Sequence, residues 1–162
     1  MSNPQLQTPT LELVLQTTER ALEAIAAMDP AMKAQLSADW LALFAAAPSA
    51  DPWIHGFSVV HRETGAVVGT CGYKGPPTAA GAVEIAYGID PEHQGKGYAT
   101  EAAAALVAYA FAAANVRVVV AHTLPESQAS QRILTKCGFA HVGKVVDRDD
   151  GLVWRFEKHR DA

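Results

Sequence analysis

Cysteine is scarce in this chain of 162 residues: Cys71 and Cys137 are the whole complement. Two such thiols make no disulfide framework and read as small, buried residues in a reducing compartment. An excess of positive charge is also missing. Net charge is −4 and the lysines and arginines form no cluster, which argues against nucleic acid as a direct partner. No apolar run reaches the ~18 uncharged residues that a membrane span requires. The Ala-rich stretch from Ala102 to Ala114 is too short and only weakly apolar, so no membrane contact is expected. Met1-Ser2-Asn3-Pro4-Gln5 lacks the basic start and apolar core of a signal peptide, and a cytoplasmic location is the expectation. The six histidines show no paired ligand spacing, so no metal site is expected.

What remains is ordinary globular material, 49% apolar and 19% charged. A chain of this length fits one domain that buries about two-thirds of its unfolded surface. Residues 9–160 are expected to form it, with 1–8 a flexible N-terminus. Alternation at Leu11, Leu13 and Leu15 predicts a first strand. Thr18 reads as a helix cap followed by Leu22, Ile25 and Met28 at helical spacing. Pro30 opens a second short helix, and Ser37 to Ala47, with Trp40, Leu41 and Phe44, a third. Trp53–Arg62 and Ala66–Tyr73 read as strands joined at Glu63-Thr64-Gly65. Val83–Ile89 is the next strand and Thr100–Ala114 a helix. The Val-rich run from Val116 to Thr123 suits a strand covered on both faces. Strand, helix, strand in this order predicts a parallel pair joined by a right-handed crossover. A helix over Ser127–Cys137 should end at Gly138 in a left-handed cap with Phe139 folding back. Strands at Ala140–Val146 and Leu152–Glu157 complete an α/β fold of the α+β mixed-sheet kind, with about six or seven strands and helices on both faces.

The most informative stretch runs from Val83 to Glu101. It is a strand, a tight loop bearing Gly95 and Gly97, and the start of a helix. A helix N-terminus presents amides without partners and the positive end of the dipole. Glycines just before it let a ligand approach closely, so the unit suits a phosphate. The dinucleotide fingerprint needs a third glycine where Thr100 stands and an acidic residue about twenty positions on, and the stretch there has none. The triphosphate loop needs Gly-Lys-Ser/Thr, which Gly95-Lys96-Gly97 does not supply.

Gln94-Gly95-Lys96-Gly97-Tyr98-Ala99 resembles motif A of the GNAT superfamily of N-acetyltransferases. The segment Ser127 to Phe139 is similar to the corresponding segment in the branch containing the ribosomal-protein N-terminal acetyltransferases. The resemblance implies a GNAT fold with a splayed parallel strand pair and an acetyl-CoA pyrophosphate held by the amides of Gln94, Gly95, Lys96, Gly97, Tyr98, Ala99 and Thr100. It also implies a pantetheine arm held where Gly88 interrupts its strand between Tyr87 and Ile89, through a bulge and free amides. Lys96 is otherwise a plain loop lysine, and Thr100 is either a cap hydroxyl or a phosphate contact. Glu84 lies on the strand face opposite Val83, Ile85, Tyr87 and Ile89. It is either a solvated carboxylate or, as in related enzymes, the base that removes the acceptor amine's proton, with a pKa raised by burial. Ser127 stands where the family usually has Asn, and Leu134 where many members carry a tyrosine that protonates the departing thiolate. Ser130 is the nearest replacement, or else only a first-turn hydroxyl. Cys137 faces the core with Ile133 and is not expected to carry an acyl group. The implied partners are acetyl-CoA and an amine acceptor, either a peptide N-terminus or a small molecule. A catalytically silent acyl-CoA-binding domain is the rival, and a homodimer stays open.

Overall fold

The computed structural model describes residues 5–16, 26, 30, 52–147 and 151–160. The three early helices expected between Thr18 and Ala47 lie outside these residues, apart from positions 26 and 30, which are both helical. Eight strands form one mixed sheet in the order β1-β2-β3-β4-β5-β6-β8-β7. They are β1 (Gln5–Gln7), β2 (Leu11–Leu15), β3 (Phe57–His61), β4 (Val67–Tyr73), β5 (Ala82–Ile89), β6 (Val118–Thr123), β7 (Ala140–Asp147) and β8 (Gly151–His159). Two α-helices are described, α1 (Tyr98–Ala112) and α2 (Gln128–Lys136). Every neighbouring pair is antiparallel except β5 and β6, which α1 connects as a parallel pair.

The eighth strand, beyond the expected six or seven, comes from Gln5–Gln7 near the start of the chain. Gln5–Gln7 pair with Glu12–Val14, and Leu6 packs against the core. Thr8 Oγ1 donates to Glu101 Oε1 at 2.6 Å, and the Thr10 N–H reaches the same oxygen at 3.1 Å. One carboxylate in the first turn of α1 thus ties down the start of the chain. The strand expected from Trp53 begins only at Phe57, because residues 52–55 form a turn and Gly56 has φ 79°.

Among the described residues, the main core cluster lies on the face of the sheet that α1 and α2 cover. Leu11, Leu13, Leu15, Phe57, Val59, Val83, Ile85 and Val119 meet Ala102, Ala103, Leu106 and Ala110 of α1 and Leu134 of α2. The small alanines let α1 sit close to the strands, and Tyr73 donates its hydroxyl to the Leu106 carbonyl. At the end of α2 the Gly138 N–H reaches the Thr135 carbonyl and the Phe139 N–H the Leu134 carbonyl. Gly138 has φ 89° and Phe139 is buried, the helix-ending pattern that the sequence predicts.

Candidate functional site

β5 and β6 stay together for three residues only, Ala82–Glu84 against Val118–Val120. Beyond Glu84 they part, while β4 remains in register with β5 as far as Ile89. Gly88 therefore marks no register shift against β4, contrary to the expected bulge. The irregularity is the loss of β6, which leaves one backbone edge of β5 without a neighbouring strand among the described residues. The chain then turns through a short 3₁₀ segment at Pro91–His93. Gln94 Nε2 donates to the Ile89 carbonyl at 2.9 Å, holding the loop against the end of β5.

Gly95 and Gly97 take φ of 80° and 84°, a left-handed conformation that a side chain disfavours. Gly97 is the N-cap and α1 begins at Tyr98, two residues before the expected start. The first helical bond runs from Glu101 N–H to the Gly97 carbonyl at 3.1 Å. The amides of Tyr98, Ala99 and Thr100 precede it and stand at the positive end of the helix. All three residues line a cleft of about 470 Å³, together with Tyr87, Gly88, Ile89, Gln94, Gly95 and Gly97. Thr100 is thus a first-turn residue rather than the cap.

Two residues assigned to the cofactor lie outside the wall of this cleft. Lys96 is exposed between the glycines, and Ser127 occupies the N-cap position of α2 without a side-chain cap bond. The far wall is α2, through Ala129, Ser130, Arg132, Ile133 and Lys136. The cations Arg132 and Lys136 were not singled out from the sequence, although the spacing 129, 132, 133, 136 is that of one helix face. His93 also lines the cleft.

Ser130 reaches the cleft, and so does a second hydroxyl. Tyr87 Oη is buried and has no hydrogen-bond partner among the described residues. Burial pushes the Tyr87 phenol up, with the nearby Ser130 hydroxyl opposing part of the rise. Leu134, by contrast, is fully buried in the core and far removed in character from a proton donor. Cys71 is buried and its thiol is pushed up to about 12 by desolvation, while burial also raises Cys137. Neither is a ready thiolate.

The opposite face of the sheet carries Glu84. Its Oε2 accepts from His122 Nδ1 at 2.8 Å and from Lys74 Nζ at 3.1 Å. Desolvation pushes its carboxyl upward, but the His122 hydrogen bond and the Lys74 charge outweigh that and hold it below the usual range. The expected upward shift is therefore reversed, because the pair of partners was not legible in one strand. Glu84 does not line the cleft; it stands at the last rung before β5 and β6 part. Among the described residues no group of His, Cys, Asp and Glu is placed to hold a metal ion, and no helix is long and apolar enough to cross a membrane.

Residues 8–140 match the family described as acetyltransferase (GNAT) domain. The uncharacterized N-acetyltransferase p20 of Bacillus licheniformis is 35% identical over 91 residues, 56% of this chain and 51% of that protein. The chain thus matches about half the length of such relatives. Among solved structures, the ribosomal-protein-S5-alanine acetyltransferase from Vibrio fischeri superposes with a TM-score of 0.69 at 19% identity, covering 98% of each chain. A ribosomal L7/L12 alpha-N-protein acetyltransferase in complex with coenzyme A gives 0.71 at 15% identity, covering 96% of this chain and 98% of that one. At these identities the likeness of the structures is one of fold.

Proposed function

This chain belongs to the GNAT acetyltransferases, and we propose that it moves the acetyl group of acetyl-CoA to a primary amine by direct attack with both substrates bound. The acceptor in this reading is the α-amine of a protein N-terminus, the catalytic domain is residues 9–160 with β1 added to its sheet edge, and the location is the cytoplasm. One observation carries it. The left-handed glycines and the free first-turn amides of α1 open onto a cleft that leads to the point where β5 and β6 part.

The residues present fit a CoA phosphate. A Cβ placed on Gly95 or Gly97 would meet no atom within 4 Å, so the backbone there is bare toward a ligand, and Arg132 and Lys136 add positive charge to the opposing wall. Amide donors aimed at a phosphate make charge-assisted bonds without any side chain. Farther in, Tyr87 and Ser130 hold two hydroxyls beside the stretch of β5 that faces no strand. The Tyr87 phenol keeps its proton because burial raises it, so it is a donor for a developing thiolate, as is Ser130. When bound, acetyl-CoA supplies a thioester carbonyl that only a neutral amine can attack.

The acceptor class follows from that requirement. At pH 7 roughly a tenth of an α-amine is neutral, against well under a thousandth of a lysine amine, from reference pKa values of ~7.9 and ~10.4. A proton-accepting group that includes a carboxylate held below its usual range suits the α-amine better. The segment Ser127 to Phe139 and its likeness to the ribosomal-protein branch point the same way.

Calorimetry with CoA, followed by thiol release from acetyl-CoA in the presence of N-terminal peptides and small amines, tests the reading. Micromolar CoA binding and peptide-dependent thiol release are expected. Transfer to small amines alone would replace the acceptor, and CoA binding with no transfer would make the protein a silent binding domain.

A further inference from the structure

Glu84 is not a solitary base. We propose that His122 receives the proton from the attacking amine at Nε2, and that Glu84 is its positioning partner, holding the imidazole through Nδ1–H. This rests on the acetyl-transfer reading above.

The juxtaposition comes from the sheet. Val120 is the last residue of β6 paired with β5, opposite Glu84. His122 follows on the same face by the two-residue period, so its ring stands just inside the fork where the strands separate. Its side chain is 14% exposed and its Nδ1 lies 2.8 Å from Glu84 Oε2. A carboxylate can only accept, so a neutral imidazole in this contact carries its proton on Nδ1. Nε2 is then an unprotonated lone pair, and no hydrogen bond to it occurs among the described residues.

The same contact makes Glu84 a poor base on its own account. Oε2 already accepts from both His122 and Lys74, and the carboxyl is held below its usual range. Proton transfer is most efficient when donor and acceptor are matched. By residue type, the reference value of imidazole (~6.5) lies nearer that of an α-ammonium (~7.7–8.0) than the value of a glutamate carboxyl (~4.3) does. Among the described residues, the charged groups around His122 are Glu84 from β5, Lys74 after β4 bound to the same Glu84 oxygen, and Arg155, its register partner on β8. Arg155 is itself tied to Glu157 on the same strand, Nε to Oε2 at 2.7 Å. The carboxylate of Glu84 is thus the anion in contact with the ring.

The step balances simply. The ammonium N–H proton passes to His122 Nε2, and the freed nitrogen pair forms the C–N bond to the acetyl carbon. The C–S bond then breaks, and its electron pair stays on sulfur. The Tyr87 or Ser130 hydroxyl protonates that sulfur and is restored by the second proton lost by nitrogen, giving the amide and CoA thiol. His122 returns its proton to solvent.

Two-bond ¹H–¹⁵N correlation spectra of the imidazoles test the geometry without any turnover. His122, assigned by comparison with His122→Asn, should be the Nδ1–H tautomer in the parent and drift toward Nε2–H in Glu84→Ala. In thiol-release assays with an Ala-initiated peptide, His122→Asn should lower turnover about 100-fold or more at pH 7. The acetyl-CoA KM should stay within about twofold, and the deficit should narrow toward pH 9 as the amine becomes neutral unaided. Glu84→Gln with His122→Asn should be little slower than His122→Asn alone, since the two act as a unit. An Nε2–H tautomer in the parent overturns the proposal. So does a His122→Asn protein with parental turnover at pH 7, even if Glu84→Gln is crippled, because Glu84 would then act alone. A parent that binds no CoA takes down the acetyl-transfer reading as well. A parent that transfers acetyl normally but fails the tautomer test loses only this one.

Discussion

Gly97→Val separates the ligand from the fold. Gly97 has φ 84°, and an L-residue in the left-handed region costs about 1–2 kcal/mol, with a β-branched side chain at the upper end. The added Cβ meets no protein atom within 4 Å, so no clash adds to that strain. A domain of this size loses about 2–4 °C per kcal/mol. The variant should therefore stay folded with Tm lowered by about 2–8 °C. Binding should suffer far more. The side chain projects where a phosphate must approach the amides of Tyr98, Ala99 and Thr100, and hydrogen bonds to a charged group contribute about 1.5–3 kcal/mol each. Losing two such bonds predicts a Kd for CoA weakened by roughly 10²- to 10⁴-fold. Gly97→Ala should fall between parent and Val, and Lys96→Ala should lose little, because Lys96 stands outside the cleft wall. Calorimetric titration with CoA beside a thermal melt gives both numbers. A Gly97→Val protein that melts within the stated range and binds CoA like the parent would refute the phosphate assignment.

Cys71→Ser and Cys137→Ala should each keep most of the transfer activity, because neither thiol is ionised near neutral pH. Intact-mass analysis after mixing with acetyl-CoA should show no acetyl adduct, and initial rates should give intersecting rather than parallel lines. Glu101→Ala removes the acceptor shared by Thr8 and the Thr10 amide and should cost about 1.5–3 kcal/mol. Hydrogen exchange should show β1 losing protection before the rest of the sheet. Because the Glu84 carboxyl is held below its usual range in the fold, the unfolded chain binds more protons here as pH falls. Its contribution is present above the unfolded pKa and fades on acidification through the folded one. The urea-unfolding gap between parent and Glu84→Gln should therefore be larger at pH 7 than below pH 4; a gap that grows in acid contradicts the assigned partners.

The left-handed glycine loop and the helix that follows it were legible because their signals are local. Gly95, Gly97 and the helix after them are consecutive, and a left-handed cap before a helix needs nothing from the rest of the chain. The same holds for Gly138 at the end of α2. The strand alternation of β2 and the Val run of β6 were readable for similar reasons. β1 was missed because Gln5-Leu6-Gln7 is too short to show a period, and its anchor, Glu101, lies 93 residues from Thr8. The Glu84–His122 contact spans 38 residues and depends on the parallel register of β5 and β6, which no spacing encodes. Tyr87 was read as a flank of Gly88, and only the folded packing shows its hydroxyl to be buried without a partner among the described residues.

The two faces of the fork divide the chemistry in a way that follows from the sheet period. Odd-numbered residues of β5 turn toward α1 and α2, so Tyr87 joins Ser130 on the side where the cleft runs. Even-numbered Glu84 turns away from the helices, toward His122 and Lys74. In the proposed reaction, the donor for the leaving sulfur and the acceptor for the amine proton thereby stand on opposite sides of one backbone. That separation matters because neutralising each other is the easiest reaction for an acid and a base in contact. Parallel strands that ran on together would close the space between the two faces. Under the proposed mechanism, their parting immediately after Glu84 and Val120 gives a thioester entering from one face room to meet an amine arriving from the other.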